Sequence, residues 1–362
     1  MRLLFYIDTM SGGGAERVMA TVTTALADEH EVYLATDLSK PCSYTLSEKI
    51  HLVDYKEGFP KVSRSVFNKV YRRYWLFHRY RQLAKLLKAD VAVSFKTQVN
   101  CDIIFSLLFS GIPLVCCEHT NILRKRPLDW RLKRAFLYPF ASCITLLTKH
   151  DLKVSRRRPW KMVRMPNPCD VPNREVETER KKVVFTAGRV DDWNVKGYDL
   201  LIKAWGKLYR KYPDWKLQIA GNYSEKTLSF LRSIAPECCD RSVEFLGFRR
   251  DVYDLMAQSS AYCLSSRIEG LPMGLLEAMA SGCCCVAFDC ITGPNEIIKD
   301  GQSGLLAKAE DVGDLSLKLE SVILNPDLCT SLASNAPKSA FQYSTAAVAR
   351  RWNILFKKLV KK

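Results

Sequence analysis

The sequence has 362 residues, 48% of them hydrophobic, and its 55 Lys and Arg against 38 Asp and Glu give a formal charge of +17. This length suits two domains with separate cores, which excludes a small disulfide-stapled scaffold. Residues 1–170 hold 28 basic and 15 acidic residues, so the positive excess lies mainly in the first half. Such a field favours an anionic partner: a membrane surface, a nucleic acid or a phosphorylated substrate.

The fourteen cysteines and the apolar runs exclude further classes of protein. No C-x-x-C pair is present, which argues against zinc, and we interpret the cysteines as small buried hydrophobes of a reducing cytosol. The longest apolar stretch, 103–117, is interrupted by Gly111 and Pro113 and is too short to cross a bilayer. The short run before Asp8 predicts a first strand rather than a secretory signal.

The first predicted elements are a strand at residues 3–7, a glycine loop and a helix at 18–26. The loop reads S-G-G-G-A-E-R from residue 11 to 17 and includes Gly13 and Gly14. Strand, glycine loop and helix in this order let the backbone approach a phosphate or a sugar. A tight turn is the alternative interpretation, although one glycine would serve a turn. The next predicted strand covers 31–35.

Residues 61–88 predict a long basic amphipathic helix, because nine Lys or Arg alternate with six aromatic residues there. Basic residues beside Trp and Tyr are typical of helices that lie on anionic lipid. A solvated helix with one face on the sheet is the alternative, and the aromatic spacing does not exclude it. Further basic groups occur at 124–126, 131–134 and 156–158.

Two predicted strands at 91–95 and 114–117 lead to E-H-T at residues 118–120. Ligands of open α/β sheets gather at the carboxyl ends of strands, which makes His119 a candidate site residue. A structural histidine is the alternative. More strands are predicted at 143–147 and 163–165.

The predicted domain boundary follows P-N-P at 166–168. Residues 1–170 form the first predicted domain, 171–182 a charged linker and 183–344 the second domain. Strands alternate with helices in both, which predicts two Rossmann-like parallel-sheet α/β domains. The basic amphipathic tail, 345–362, predicts a helix.

The segment 265–295 predicts a ligand site in the second domain. Glu269 and Glu277 stand eight residues apart, and the G-L-P-M-G turn between them begins a predicted helix that ends at Gly282. The amino end of a helix beside glycines binds anions, and two carboxylates can accept hydrogen bonds from hydroxyls. Phosphate together with hydroxyls suggests a nucleotide sugar.

Two cations, Arg189 and Lys196, follow a predicted strand at residues 182–187. They could neutralise a diphosphate leaving group. Two exposed loop charges are the alternative interpretation.

These motifs, in this order, resemble the retaining glycosyltransferases of family four, whose GT-B fold has two Rossmann-like domains facing a cleft. The resemblance rests on the glycine loop, E-H at 118–119, N-P at 167–168, G-R at 188–189, K-G at 196–197, E-G-L-P at 269–272, E-A at 277–278 and G-P at 293–294. Residues 113–140 also resemble enzymes that extend polyprenyl-diphosphate-linked oligosaccharides, including N-acetylgalactosaminyltransferases.

The resemblance implies a role for each matching residue. Arg189 and Lys196 would bind the donor diphosphate, Glu269 the hydroxyls of the transferred sugar and Glu277 the ribose. His119 would lie at the reacting sugar. The remaining implied contacts to the donor or beside it are Gly13, Gly14, Asn167, Gly188, Leu271, Met273, Gly274 and Leu275. The tail helix, 345–362, would pack back on the first domain.

The resemblance further implies transfer with retention of anomeric configuration, from a UDP-linked hexose or N-acetylhexosamine to a glycolipid or polyprenyl-diphosphate-linked glycan in bacterial surface polysaccharide assembly. No D-x-D motif is present, so we expect neither a metal nor a cofactor, and we expect a cytoplasmic enzyme on the inner membrane face. The alternative is a basic peripheral membrane or nucleic-acid-binding protein without transferase activity, although no nucleic-acid motif accompanies the charge. A phosphorylase of related fold is a third possibility, but it would need a pyridoxal lysine site, for which the sequence gives no support.

Overall fold

The computed structural model of the protein describes residues 1–60, 65–119, 122, 127–169 and 180–361. The chain divides into two compact units, one made of Met1–Pro168 and Thr345–Lys362 and the other of Cys169–Ser344. Most of the predicted linker, the basic group 124–126, and Lys61 and Arg64 of the predicted basic helix lie outside the described residues. Residues 181 and 182, assigned above to the linker, open the first strand of the second unit.

In the described part of the first unit, parallel strands form one seven-stranded sheet in the order β3-β2-β1-β4-β5-β6-β7. The strands are β1 (Arg2–Tyr6), β2 (Glu31–Thr36), β3 (Ile50–Asp54), β4 (Val91–Phe95), β5 (Leu114–Cys117), β6 (Cys143–Leu146) and β7 (Met162–Arg164). The helices between them are α1 (Gly14–Leu26), α2 (Val66–Leu86), α3 (Thr97–Leu107), α4 (Leu128–Leu137), continued by a 3-10 turn at Tyr138–Phe140, and α5 (Lys149–Ser155).

The first sheet is covered on both faces. Leu3 and Phe5 of β1 join one hydrophobic cluster, whereas Leu4 and Tyr6 join another, because successive strand residues point to opposite faces. The first cluster includes buried residues of α1, and the second includes residues of α2 and α3. A strand buried on both faces reads as a continuous apolar run, and for this reason β1, β4 and β5 are recognisable in the sequence.

The second unit has, within the described residues, a six-stranded parallel sheet in the order β10-β9-β8-β11-β12-β13. Its strands are β8 (Lys181–Ala187), β9 (Lys216–Ala220), β10 (Val243–Gly247), β11 (Ser259–Leu264), β12 (Cys284–Asp289) and β13 (Leu305–Lys308). Its helices are α6 (Trp193–Lys196), α7 (Tyr198–Trp205), α8 (Glu225–Ile234), α9 (Pro236–Ser242), α10 (Val252–Gln258), α11 (Met273–Ala280), α12 (Pro294–Ile297), α13 (Val312–Leu324) and α14 (Pro326–Ala340). Short 3-10 turns occupy Val190–Asp192 and Phe341–Tyr343.

The last helix, α15 (Thr345–Val360), belongs to the first unit. Its residues Val348, Trp352 and Phe356 are buried in the same cluster as Met19 and Val22 of α1. These three positions are four residues apart and therefore form one stripe along the helix. The chain thus completes the first core with its final helix.

The aromatic residues of α2 divide between core and surface. Tyr80 is buried and accepts a hydrogen bond from the Tyr6 hydroxyl at its carbonyl oxygen, at 2.9 Å. Phe67, Tyr71 and Tyr74 are exposed. The helix therefore has one end on the sheet and an aromatic, basic end toward solvent. Among the described residues, no helix is both long and apolar enough to cross a membrane.

Twelve of the fourteen cysteines are buried, whereas Cys42 is exposed and Cys329 is partly exposed. Cys116 and Cys117 on β5 and Cys284 and Cys285 on β12 have no exposed surface. The predicted burial of the cysteine groups in strands is confirmed at these positions.

Candidate functional site

The candidate donor site lies at the carboxyl edge of the second sheet, between β8 and β11. The strand order reverses at these two parallel neighbours, which end at Ala187 and Leu264. In open α/β sheets, ligands bind outside the carboxyl ends of the strands where the order reverses. The loops that follow the two strands, 188–197 and 265–272, carry five of the predicted donor residues: Gly188, Arg189, Lys196, Glu269 and Leu271.

Lys196 and Glu269 meet at this edge, although 73 residues separate them in the chain. The Lys196 Nζ lies 2.8 Å from Oε1 of Glu269, and the Ser266 hydroxyl donates to the same oxygen at 2.6 Å. The two side chains are 25% and 11% exposed. The site therefore presents an ammonium group and an oriented carboxylate side by side, which suits a ligand with both negative charge and hydroxyls.

A glycine allows the two loops to touch. Gly197 has φ +65°, and a Cβ there would lie 1.9 Å from the carbonyl oxygen of Ser265. The Ser265 hydroxyl donates to the carbonyl oxygen of Lys196 at 2.9 Å. Any other residue at 197 would push the loops apart and separate Lys196 from Glu269.

The amino end of α11 forms the floor of the candidate donor site. Met273, Gly274 and Leu275 are its first residues after the cap at Pro272, so their N–H groups have no partner within the helix. A Cβ on Gly274 would lie 2.5 Å from the Tyr262 hydroxyl oxygen. The absence of a side chain at 274 therefore lets the Tyr262 hydroxyl lie directly against this end of the helix. The free N–H groups of the helix end are the kind of donors that bind an anion.

The Tyr262 hydroxyl is a polar group of this region that the sequence analysis missed. The side chain is fully buried, and among the described residues its hydroxyl has no hydrogen-bond partner. Burial raises the pKa of Tyr262 well above its ordinary value, so the group stays a neutral donor. No motif marks it in the sequence, because it reads as one more apolar residue of β11.

Glu277 and the loop after β12 complete this region. Glu277 is buried on α11, one turn after Met273. The Thr292 hydroxyl donates to the backbone carbonyl of Glu269, and Gly293, at φ +98°, would place a Cβ 2.5 Å from Cδ of Pro272. The loop thus packs closely on the segment that holds Glu269. Leu271, in the same segment, is buried.

Arg189 is not joined to the Lys196–Glu269 pair. Its Nη2 lies 2.8 Å from Oδ2 of Asp192, and its side chain is 84% exposed. Gly188, by contrast, lies against the sheet. Its N–H donates to the carbonyl oxygen of Ala220 at 3.0 Å, and a Cβ there would lie 2.8 Å from the Tyr198 hydroxyl. The loop after β8 therefore holds one cation at the site and one at the surface.

In the first unit, His119 follows β5 and is partly buried. Its Nδ1 lies 3.2 Å from Oδ1 of Asn167, so the structure joins two of the predicted residues, and its ring packs on Phe95 with centroids 4.3 Å apart. The buried Nε2 has no hydrogen-bond partner among the described residues. Burial lowers the pKa of His119 to about 4, and Lys96 adds to the effect while Asn167 opposes it. The ring is therefore neutral near pH 7.

The glycine loop of the first unit lies at the other reversal of strand order, between β1 and β4. Gly13, at φ +151°, caps α1 and would place a Cβ 2.5 Å from the Glu16 carboxylate, whereas a Cβ on Gly14 would meet nothing within 4 Å. Lys96, which follows β4, binds Asp8 at 2.6 Å and Glu16 at 2.7 Å. Each sheet thus has a lysine–carboxylate contact where its strand order reverses. The sequence analysis missed the contact of Lys96 in the first unit.

Glu118, which the sequence analysis read only as the neighbour of His119, anchors a buried polar network. It accepts hydrogen bonds from the hydroxyls of Thr97, at 3.0 Å, and Tyr138, and its Oε1 lies 3.7 Å from Nε of Arg134. Glu118 and Arg134 are 1% and 4% exposed. The network fixes the backbone that carries His119.

Comparisons with known sequences identify the family of the chain. The family models "Glycosyltransferase Family 4" and "Glycosyl transferases group 1" match residues 12–171 and 170–339. The chain belongs to the family-four glycosyltransferases. This membership confirms the predicted family and establishes glycosyltransferase activity as its function.

Full-length relatives support this family-four glycosyltransferase assignment. The chain is 28% identical, over 97% of both sequences, to the GalNAc-alpha-(1->4)-GalNAc-alpha-(1->3)-diNAcBac-PP-undecaprenol alpha-1,4-N-acetyl-D-galactosaminyltransferase of Campylobacter jejuni. It is 26% identical to the amylovoran biosynthesis glycosyltransferase AmsD of Erwinia amylovora, over 97% of this chain and 98% of AmsD. The structure of Anabaena HepE in complex with UDP has a TM-score of 0.79 at 17% identity, over 99% of this chain and 100% of HepE. The predicted fold class, two parallel-sheet α/β domains of the GT-B fold, is confirmed.

Proposed function

We propose that this glycosyltransferase transfers a hexose or N-acetylhexosamine from a UDP-sugar, with retention, to a polyprenyl-diphosphate-linked glycan or another membrane glycolipid. The Lys196–Glu269 pair beside the amino end of α11 carries the proposal, because it offers a cation, helix N–H groups and a carboxylate in one place. The relative from C. jejuni acts, by its name, on an undecaprenol-linked glycan, and HepE binds UDP. These names support the acceptor and the nucleotide.

In this proposal each donor-site residue has one task. The N–H groups of residues 273–275 and Lys196 bind the diphosphate and stabilise the charge that develops on it as the bond to the sugar breaks. Glu269 accepts hydrogen bonds from sugar hydroxyls, and Glu277 accepts them from the ribose. Arg189 exchanges Asp192 for the diphosphate when the donor binds. Gly188 and Leu271 shape the space around the donor.

The contacts of Glu269 argue against a covalent role for it. An ammonium and a hydroxyl both bind Oε1, and such contacts reduce the nucleophilicity of a carboxylate. We therefore propose that the acceptor hydroxyl attacks on the face from which the diphosphate leaves, with a diphosphate oxygen as the base. This route differs from the covalent mechanism of retaining hydrolases.

The first unit is proposed to bind the acceptor. Its reversal point carries the glycine loop with Gly13 and Gly14, and the neutral His119, held by Asn167, follows β5 at the same sheet edge. A neutral imidazole can exchange hydrogen bonds with sugar hydroxyls without adding charge. The sugar contact of His119 that the family resemblance implies stays a prediction.

The proposal is tested by nucleoside diphosphate release in a donor screen, followed by an acceptor screen with polyprenyl-linked glycans and lipopolysaccharide cores. Lys196→Ala and Glu269→Ala should each lower transfer by about a hundredfold or more, since each removes charge stabilisation or sugar orientation at the reacting bond. Lys182→Ala is the matched control, because Lys182 pairs with Asp214 at 3.2 Å and both side chains are exposed. All three variants should melt cooperatively, and near-normal turnover in both site variants would refute the assignment.

A further inference from the structure

Helix α4 is inverted relative to an ordinary surface helix. Its buried residue is the charged Arg134, whereas Leu128, Leu132 and Phe136 are 66%, 47% and 70% exposed. These three positions, here called the outer stripe of α4, are four residues apart and share one side of the helix. Arg134 is two residues from Leu132, about 200° around the helix axis, and therefore lies on the opposite side. An amphipathic helix in water normally turns its apolar stripe inward.

The inner side of α4 shows why it keeps this orientation. Arg134 is held against Glu118 and over the rings of Tyr138 and Trp160, at 5.5 and 5.6 Å. Turning the helix over would take the Arg134 guanidinium away from the buried Glu118 carboxylate, which is strongly unfavourable. The outer stripe is thus held toward the outside by a buried ion pair.

The apolar surface continues beyond α4. Phe140, in the following 3-10 turn, is 58% exposed, and Phe109 is 89% exposed with φ +58°, a conformation that bulky residues rarely adopt. Both phenylalanines line one cavity of about 350 Å³ together with Lys161. Single exposed apolar residues are ordinary, but a connected group of this kind indicates an interaction surface.

Helix α2 also has a stripe of exposed apolar and aromatic side chains. Phe67, Val70, Tyr71 and Tyr74 are exposed, and their spacing makes a second stripe. Buried residues of α2 and α3 belong to the same core cluster as Tyr138, at the end of α4, so these helices cover one face of the sheet. The outer sides of α2 and α4 therefore both point away from that face.

The charges beside these exposed apolar side chains indicate which kind of partner they bind. Arg131 and Lys133 are exposed on α4, where Asp129 is bound by Lys133 at 3.1 Å, and Lys161 is exposed beside the cavity. Residues 1–170 as a whole hold 28 basic and 15 acidic residues. Exposed Leu and Phe beside Lys and Arg are the combination that interfacial helices use on anionic bilayers.

We propose that the outer stripe of α4, with Phe140 and Phe109, inserts into the interfacial region of an anionic lipid bilayer. This inference rests on the proposed function only for the membrane location of the acceptor. The same helix holds Glu118 through Arg134, and Glu118 precedes His119 in the chain, so the docked helix is connected to the proposed acceptor site.

The test is sedimentation of the full-length protein with vesicles of phosphatidylglycerol and phosphatidylethanolamine, compared with vesicles of phosphatidylcholine alone. The wild type should bind the anionic vesicles. L132S/F136S should bind them more weakly by a factor of about ten or greater, since two large apolar side chains no longer leave water. The control is L317S/F341S in the second unit, because those two side chains are 64% and 72% exposed. It should bind as the wild type does.

Two further measurements test the role of charge and whether the bound partner is a bilayer or a second copy of the chain. Arg131→Gln should weaken binding to the anionic vesicles and leave the weak binding to phosphatidylcholine unchanged. Equal vesicle binding by wild type and L132S/F136S would overturn the proposal. Vesicle-independent dimerisation that L132S/F136S abolishes, measured by sedimentation velocity, would overturn it in favour of a second copy of the chain.

The vesicle assay contains neither donor nor acceptor, so its result does not depend on the proposed transfer activity. L132S/F136S should keep wild-type transfer to a water-soluble acceptor analogue and lose transfer to acceptor embedded in vesicles. Vesicle binding without any transfer activity would refute the proposed function and leave the docking surface standing.

Discussion

His119 shows how a single partly buried side chain can make stability depend on pH. The ring packs on Phe95, and burial lowers its pKa from 6.5 to about 4. In the unfolded chain the pKa returns to about 6.5. Between these two values the unfolded state binds a proton that the folded state does not bind, so folding stability is lost as the pH falls from about 6.5 to about 4.

This linkage predicts a measurable difference between pH 7 and pH 5. At pH 5 the contribution of His119 should be about 2 kcal/mol in favour of the unfolded state. Denaturant unfolding of the wild type should therefore weaken more between these pH values than that of His119→Gln. His78→Gln, at an exposed position on α2, is the control. Parallel pH profiles for wild type and His119→Gln would show that the ring is not held neutral.

Lys196 and Glu269 illustrate what residue types can and cannot indicate. The E-G-L-P segment and the K-G pair identify candidates, because they match family motifs at the right places in the chain. Their 2.8 Å contact depends on Gly197, which allows the loop after β8 to lie against the loop after β11. Arg189, predicted beside them, instead pairs with Asp192 at the surface.

At the scale of elements, α4 and α15 have the same apolar spacing and opposite burial. Leu128, Leu132 and Phe136 are exposed, whereas Val348, Trp352 and Phe356 are buried. The spacing predicts an amphipathic helix in both cases. Which side meets the protein is decided by the surface that receives the helix: an apolar cluster for α15 and a buried carboxylate for α4.

The last helix is therefore expected to stabilise the first unit. Trp352→Ala should lower the free energy of unfolding of that unit by about 3–5 kcal/mol, because it leaves a cavity in a packed core. Ile354→Ala, on the same helix at a position that is 56% exposed, is the matched control. Limited proteolysis during denaturant titration would report the first unit. Equal resistance of the two variants would mean that α15 contributes little to that core.

Two edge strands, β3 and β13, were concealed in the sequence pattern. β3 reads I-H-L-V-D and is partly exposed, and β13 has only four residues, so neither gives the continuous apolar run of β4. Helix α7 ends at Trp205, the residue before Gly206. Central strands were predictable because burial on both faces leaves no room for polar residues.

At the scale of the whole molecule, the positive charge of the donor site bears on metal dependence. We predict that transfer proceeds without a divalent cation, since Lys196 and the amino end of α11 can neutralise the diphosphate. Among the described residues, no group of three or more His, Cys, Asp or Glu side chains is arranged to hold a metal ion. Turnover should be unchanged by a chelator. Loss of activity on chelation, with recovery on adding manganese, would contradict the prediction.

The amino-acid sequence by itself determined the α/β class, the central strands and the identity of most candidate donor residues. These follow from local patterns: apolar runs, glycine loops and motif order. Only the tertiary structure decided that Glu269 is bound to Lys196, that Tyr262 lies under the amino end of α11 and that α4 turns its leucines outward. Each of these depends on contacts between distant parts of the chain, and side-chain orientation toward a distant partner leaves no mark in the local pattern.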